Sequence, residues 1–355
     1  VVTLLTSLTG LAASYFVAQI SYRPSKLQGG SCLTTTPVIP TPQSRVRVIF
    51  QGPHGLRAGW RVLIFVLLVA GFSALAAPVV RLLSREFHDA LTARTLILSE
   101  GIGFIVVLLA TAIMARVGHG SLGTYGLPAR EVFQKNFWAG ALWGFLMLTV
   151  IMGMMGIFHV YAPGGLALSG AGLLKYAFLW AVAFLMVGLF EEFLFRGYLQ
   201  FTLASGLGFW PAAAITCTVF ALAHRGNPGE TWVGLANIVL IAIFLCLALR
   251  RTGNLWFAIG WHMAFDWGES FFYSVPNSGT HTIGHLLNAS LGGSKWLSGG
   301  TVGPEGSIFD LLVMAAGIVV LARLYPEARY PAVPPVPASP SDAETTVALP
   351  GVQCS

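Results

Sequence analysis

Two adjacent glutamates, Glu191 and Glu192, stand inside an apolar run of membrane length, and Arg196 follows one helical turn after the second. A charge at mid-bilayer costs roughly 2.5–3.5 kcal/mol on insertion scales, so ionisable residues in such a place mark a candidate functional site. Two further polar pairs follow, each in its own apolar run: Phe220 with His224, and His262 with Asp266. Residues four apart share a helix face, which groups Glu192 with Arg196 and His262 with Asp266. Carboxylate plus imidazole is the equipment of water activation: a base takes a proton from a held water, and a donor group meets the oxyanion that forms. On this reading Glu191 with His224 activates the water, His262 stabilises the oxyanion, and Asp266 orients His262 or a second water. Glu192 and Arg196 form an ion pair that lowers the cost of both charges and holds Glu191 in place. The same residues offer a second chemistry, because Glu191, His224 and His262 are an accepted zinc ligand set that leaves a coordination position open. The His-Glu-x-x-His helix of many zinc proteases is absent, and each histidine comes from a separate helix. No cofactor is therefore favoured, and zinc is the alternative.

The elements that carry these residues follow from composition. The chain has 355 residues, of which 55% are hydrophobic and 10% charged, and its mean hydropathy is +0.74. These values describe an all-α polytopic membrane protein and lie far from a soluble domain. The net charge of +6 fits basic cytoplasmic loops, and no motif supports a nucleic-acid partner. Apolar stretches of about 20 residues predict about eight transmembrane helices, near 61–80, 96–115, 137–158, 176–203, 209–226, 231–249, 254–274 and 307–325. Residues 1–58 read as a signal-like or extra helix followed by a flexible arm. Residues 59–325 form the transmembrane domain, and 326–355 a Pro-rich disordered tail. Cys32, Cys217, Cys246 and Cys354 show no metal or disulfide spacing.

Lys and Arg decide the orientation. With residue 58 cytoplasmic, the inner side holds Arg23, Lys26, Arg45, Arg47, Arg57, Arg61, Arg116, Arg130, Lys135, Arg250, Arg251, Arg323 and Arg329. The outer side then holds Arg81, Arg85, Arg94, Lys175, Arg225 and Lys295. Depth can be matched as well. Glu191 and His224 are almost equally far from the turn candidate at Gly206–Gly208, roughly 24 Å at 1.5 Å per residue, unless Gly197 or Pro211 kinks a helix. In the next polar helix Asp266 matches His224 more closely than His262 does.

Taken in order, Glu191-Glu192-x-x-x-Arg196, Phe220-x-x-x-His224 and His262-x-x-x-Asp266 resemble the CPBP family, the CAAX-protease-and-bacteriocin-processing intramembrane proteases, which include the type II CAAX prenyl endopeptidases. The likeness covers about residues 172–275. The stretch Gly299-Gly-Thr-Val-Gly-Pro-Glu-Gly306 is similar to one common before the last helix of bacterial members. Asp266 departs from the asparagine of many members, and a carboxylate cannot donate to an oxyanion unless protonated. The resemblance implies an endopeptidase of the bacterial cytoplasmic membrane with a conical intramembrane cavity. Its implied partners are the lipid bilayer and a peptide or protein substrate in or at the membrane.

Blander readings use the same residues. A buried Glu-Arg pair also suits a membrane scaffold or a proton-coupled carrier, and a lone membrane histidine commonly joins helices. No internal repeat of the carrier type is visible. Glu100 reads as lumenal or as a helix-end residue. Glu269 and Asp310 read as caps or rim residues, and His281 and His285 as residues of a solvated loop.

Overall fold

Each of the eight apolar stretches folds as helix. The computed structural model describes residues 51–52, 55–84, 92–118 and 120–330. Its helices are α1 (Ala58–Ser84), α2 (Ala93–Val117), α3 (Lys135–Ile157), α4 (Gly170–Leu194), α5 (Gln200–Leu207), α6 (Phe209–His224), α7 (Trp232–Thr252), α8 (Trp256–Trp267), the short α9 (Lys295–Ser298) and α10 (Ile308–Leu324). Strands are limited to two antiparallel pairs of two residues each, Gln51–Gly52 with Gly55–Leu56, and Tyr161–Ala162 with Ser290–Leu291. The signal-like segment, most of the arm, Cys32, Cys354 and the tail from residue 331 lie outside the described residues.

Five helical units among the described residues are long and apolar enough to cross a bilayer: α1, α2, α3, the α4 to α5 unit over Gly170–Leu207, and α7. The expectation of about eight spans is thus met in full length by five. The three others are shorter, at 16 residues for α6, 12 for α8 and 17 for α10. Twelve residues rise only about 18 Å, well short of a hydrocarbon core about 30 Å thick. α8 is extended by a π-helical turn at Gly268–Phe272. The helices carry apolar side chains all round, and Leu75, Ile157, Leu174 and Phe178 are exposed on the outer surface. That is the pattern of helices solvated by lipid, and the chain is an integral membrane protein.

α4 runs into α5 through a π turn at Phe195–Leu199, with Gly197 at non-helical φ −82°, ψ −127°. The kink allowed at Gly197 is therefore present, and it directly follows the two glutamates. Gly208, at φ +84°, makes the turn into α6, a left-handed conformation that favours glycine. α8 packs closely against α3 and α4. Against α3 it does so through glycines: a Cβ on Gly140 would collide with the carbonyl of Phe257, one on Gly144 with that of Trp261, and one on Gly260 with that of Phe137. Close backbone approach of this kind is how helices associate where lipid removes the hydrophobic drive.

Long-range bonds tie the loops at each end. At the arginine-rich end, Arg329 N and Tyr330 N donate to Arg250 O, Asn254 donates to Glu131, and Arg61 donates to Ser205. Arg329 and Tyr330 are thereby fastened to the end of α7. At the other end, Trp180 Nε1 donates to Ile283 O, and Asn237 Nδ2 donates to Glu305 O and Ser307 O. The loops after α6 and α8 fold over the bundle at that end.

Candidate active site

α4, α6 and α8 bring the three polar clusters to one cavity of about 290 Å³. Glu191, Phe220, His224, His262 and Asp266 all line it, beside aromatic and aliphatic side chains such as Phe184, Val187 and Trp261. Its loop-side lining includes Asn227, Asn277, Ser278 and Glu305, so it reaches toward the end of the bundle opposite the arginine-rich loops.

His262 is the hub. Its Nδ1 donates to Glu192 Oε1 at 3.0 Å, because a carboxylate oxygen can only accept. Its Nε2 lies 3.7 Å from Glu191 Oε2 and 3.5 Å from Asp266 Oδ2. Three carboxylates therefore surround one imidazole. Glu192 Oε1 also takes a hydrogen bond from Arg196 Nη1 at 2.9 Å, with both residues almost wholly buried. The guanidinium sits 4.3 Å from the centre of the Phe220 ring, the distance of a cation–π contact. Arg196 is held by its salt partner on one side and by an aromatic face from α6 on another. The π turn starts one residue before Arg196, and such bulges recur at functional sites because they re-aim side chains within a helix.

His224 is placed by its own helix. Its Nδ1 lies 2.8 Å from Phe220 O; a carbonyl only accepts, so Nδ1 carries the proton and Nε2 keeps a lone pair. The ring packs on Phe220 at 4.4 Å between centroids. Glu191 Oε2 is buried without a hydrogen-bond partner, while the residue as a whole keeps partial exposure to the cavity. Glu191 and His224 share the cavity and make no direct hydrogen bond; the imidazole nearest to Glu191 is that of His262.

The donor atoms of the alternative zinc set, Glu191, His224 and His262, do not all lie within 4.8 Å of one another. Zinc holds its ligands at about 2.0–2.2 Å, so its donors must converge, and both ring nitrogens of His262 already face carboxylates. Among the described residues, the one group whose donor atoms all lie within 4.8 Å of one another is Asp266, Glu269 and Glu305.

Several polar residues of the site lay outside the sequence expectation. Glu100, read as lumenal or helix-end, lines the cavity. Glu269 and Asp310, read as rim or cap residues, are fully buried. Burial follows because the loop 273–307 covers the ends of α8 and α10. Glu305 was visible only as part of a glycine-rich stretch.

A helical bundle solvated by lipid, with an acid and imidazole cluster walled inside it, defines the class as an integral membrane protein with an internal polar site. Residues 173–268 match the family described as type II CAAX prenyl endopeptidase Rce1-like, and this match over about a quarter of the chain supports the likeness to the CAAX and CPBP intramembrane proteases. That stretch holds all seven residues picked out by spacing, from Glu191 to Asp266. No curated protein and no solved structure matches the chain.

Proposed function

We propose that the chain is an intramembrane endopeptidase that hydrolyses a peptide bond of a membrane-associated peptide or protein with water activated by Glu191. The observation that carries this reading is that Glu191, whose Oε2 makes no hydrogen bond, lines the same cavity as His224 and His262. Glu191 takes the proton of a water held between it and the lone pair of His224 Nε2. The water oxygen attacks the scissile carbonyl, and the oxyanion is met by His262, whose Nε2 proton is directed by Asp266. The proton on Glu191 then passes to the leaving amine. Glu192 is a positioning residue: by accepting from Nδ1 it fixes the tilt of a His262 ring that carries a proton on both nitrogens in this step, and Arg196 neutralises it.

Asp266 suits orientation of an imidazole better than donation to an oxyanion, since an ionised carboxylate only accepts. The loop-side lining of the cavity lies away from the arginine-rich loops, and the positive-inside rule makes that side extracytoplasmic. We therefore infer substrates presented from the outer face or from within the lipid of a bacterial cytoplasmic membrane.

The test is cleavage of a reporter peptide library in proteoliposomes. Glu191→Gln and His224→Ala, at normal membrane levels, abolish cleavage on this reading, and phenanthroline leaves the unmutated chain active. Retained cleavage in either variant refutes the glutamate assignment. Loss with phenanthroline that zinc restores moves the chemistry to a metal.

A further inference from the structure

A second cluster of carboxylates lies against the far side of Asp266, and the hydrolytic reading makes no use of it. One carboxylate oxygen from each of Asp266, Glu269 and Glu305 lies within 4.8 Å of the other two. Glu269 is wholly buried, and neither of its carboxylate oxygens makes a well-formed hydrogen bond, the backbone N–H of Glu305 offering at most a weak one. Asp310, also wholly buried and unpartnered at both oxygens, adds a fourth acidic group close to Glu269. None of the ion pairs among the described residues joins a Lys or Arg to any of the four. His262, 3.5 Å from Asp266, is the one basic partner. A buried carboxylate without a donor or an opposite charge carries a large desolvation cost, and Glu269 bears it at a point where two more carboxylates converge.

We propose that Asp266, Glu269 and Glu305 bind a hard divalent cation of calcium size. Calcium takes oxygen ligands at about 2.3–2.6 Å, so oxygens on opposite sides of one ion stand about 4.6–5.2 Å apart, and three oxygens no more than 4.8 Å apart need at most a small inward shift to meet that shell. Magnesium, at about 2.0–2.1 Å, requires a tighter shell. The donors are all oxygen, with no thiolate and no free imidazole, which selects against zinc and copper. Two carboxylate arms come from the end of α8 and its π turn, and the third from the loop before α10.

The loop is shaped for close approach. Gly303 sits at φ +102°, and a Cβ there would run into the carbonyl of Pro276 and come within 3.3 Å of Glu269 Oε1. The Pro276 carbonyl is thus a further oxygen beside the cluster. Glu305 is braced by Ser278, whose N and Oγ donate to Glu305 Oε2 at 2.9 and 2.8 Å, and by Asn237 holding its backbone carbonyl. The glycine-rich stretch before the last helix thereby acquires a purpose: it lays a backbone and one carboxylate over the buried Glu269. Because Asp266 belongs to both groups, the cation is also linked to the orientation of His262.

The experiment uses the full chain in lipid nanodiscs, stripped with EGTA and titrated with calcium alone, read by calorimetric binding and by the thermal unfolding midpoint. One calcium per chain is expected, with a midpoint that rises with calcium concentration. Glu269→Gln and Glu305→Gln should each weaken binding at least tenfold; Glu305, on the loop, serves where the Glu269 variant fails to accumulate. No binding and no midpoint change at millimolar calcium, the range of weak extracellular sites, overturns the proposal. Binding that persists unchanged in the variants overturns it as well. Neither readout depends on peptide cleavage.

Discussion

Arg196→Met isolates what the buried ion pair contributes. Arg196 is 1% exposed and Glu192 0%, and their contact at 2.9 Å lies in the interior of a lipid-solvated bundle. Removing one partner of such a pair costs about 3–5 kcal/mol, chiefly because the other charge stays buried without its counterion. Here Glu192 keeps one donor, His262 Nδ1 at 3.0 Å, which sets the expectation at the low end, about 3 kcal/mol. The lost contact with the Phe220 ring, 4.3 Å from the guanidinium, is part of the same change and does not add in full. About 3 kcal/mol is roughly two orders of magnitude in the folding equilibrium. The assay is SDS titration in mixed micelles, with helix content as the signal. Glu192→Gln combined with Arg196→Met removes both charges and should recover most of the loss, since a neutral pair carries no stranded ion. Cleavage should not recover, because His262 Nδ1 then faces an amide in place of a carboxylate. A single variant within about 1 kcal/mol of the parent, or a double variant no more stable than the single one, would show that Arg196 acts by filling space against Phe220 and that the charge argument is wrong.

Gly260→Ala places a Cβ against the carbonyl of Phe137 where α8 meets α3. Overpacking there should cost about 1–3 kcal/mol and lower cleavage by displacing His262, two residues on. Gly153→Ala, on α3 with nothing within 4 Å of its Cβ, should leave cleavage unchanged in the same assays. In the loop after α6, burial lifts the Glu230 carboxyl above the ordinary carboxylate range; the Thr231 N–H opposes the lift, and Glu305 adds to it. A raised carboxyl holds its proton more tightly folded than unfolded, so its stabilisation is full below the unfolded value and is lost as pH rises through the folded one. Glu230→Gln should flatten the stability profile just above the ordinary carboxylate range; an unchanged slope there refutes the assignment.

The sequence displays costs more readily than contacts. Glu191, Glu192, Arg196, His262 and Asp266 stood out because a charge in an apolar run is expensive wherever the chain goes, and the i,i+4 step then showed which of them share a helix face. Depth counting from Gly208 brought Glu191 and His224 to one level, and both line the cavity. It said nothing about rotation of one helix against another. That is why Glu192, assigned only to Arg196, turns out to hold His262 from 70 residues away. The π turns at Phe195–Leu199 and Gly268–Phe272 leave no compositional mark beyond Gly197, since a wider turn needs no special residue. Glu269, Glu305 and Asp310 were hidden for the opposite reason from the motif glutamates. They stand at the edges of apolar runs or in a loop rich in Gly, Asn and Ser, where a carboxylate is cheap if the loop is wet. The bonds from Asn237 and Trp180, which fasten that loop onto the bundle, leave Glu269 and Asp310 buried and Glu305 partly buried. An acidic residue beside an apolar run is therefore a candidate buried charge whenever the neighbouring loop is dense in glycines at positive φ, because such a loop can lie flat enough to close over it.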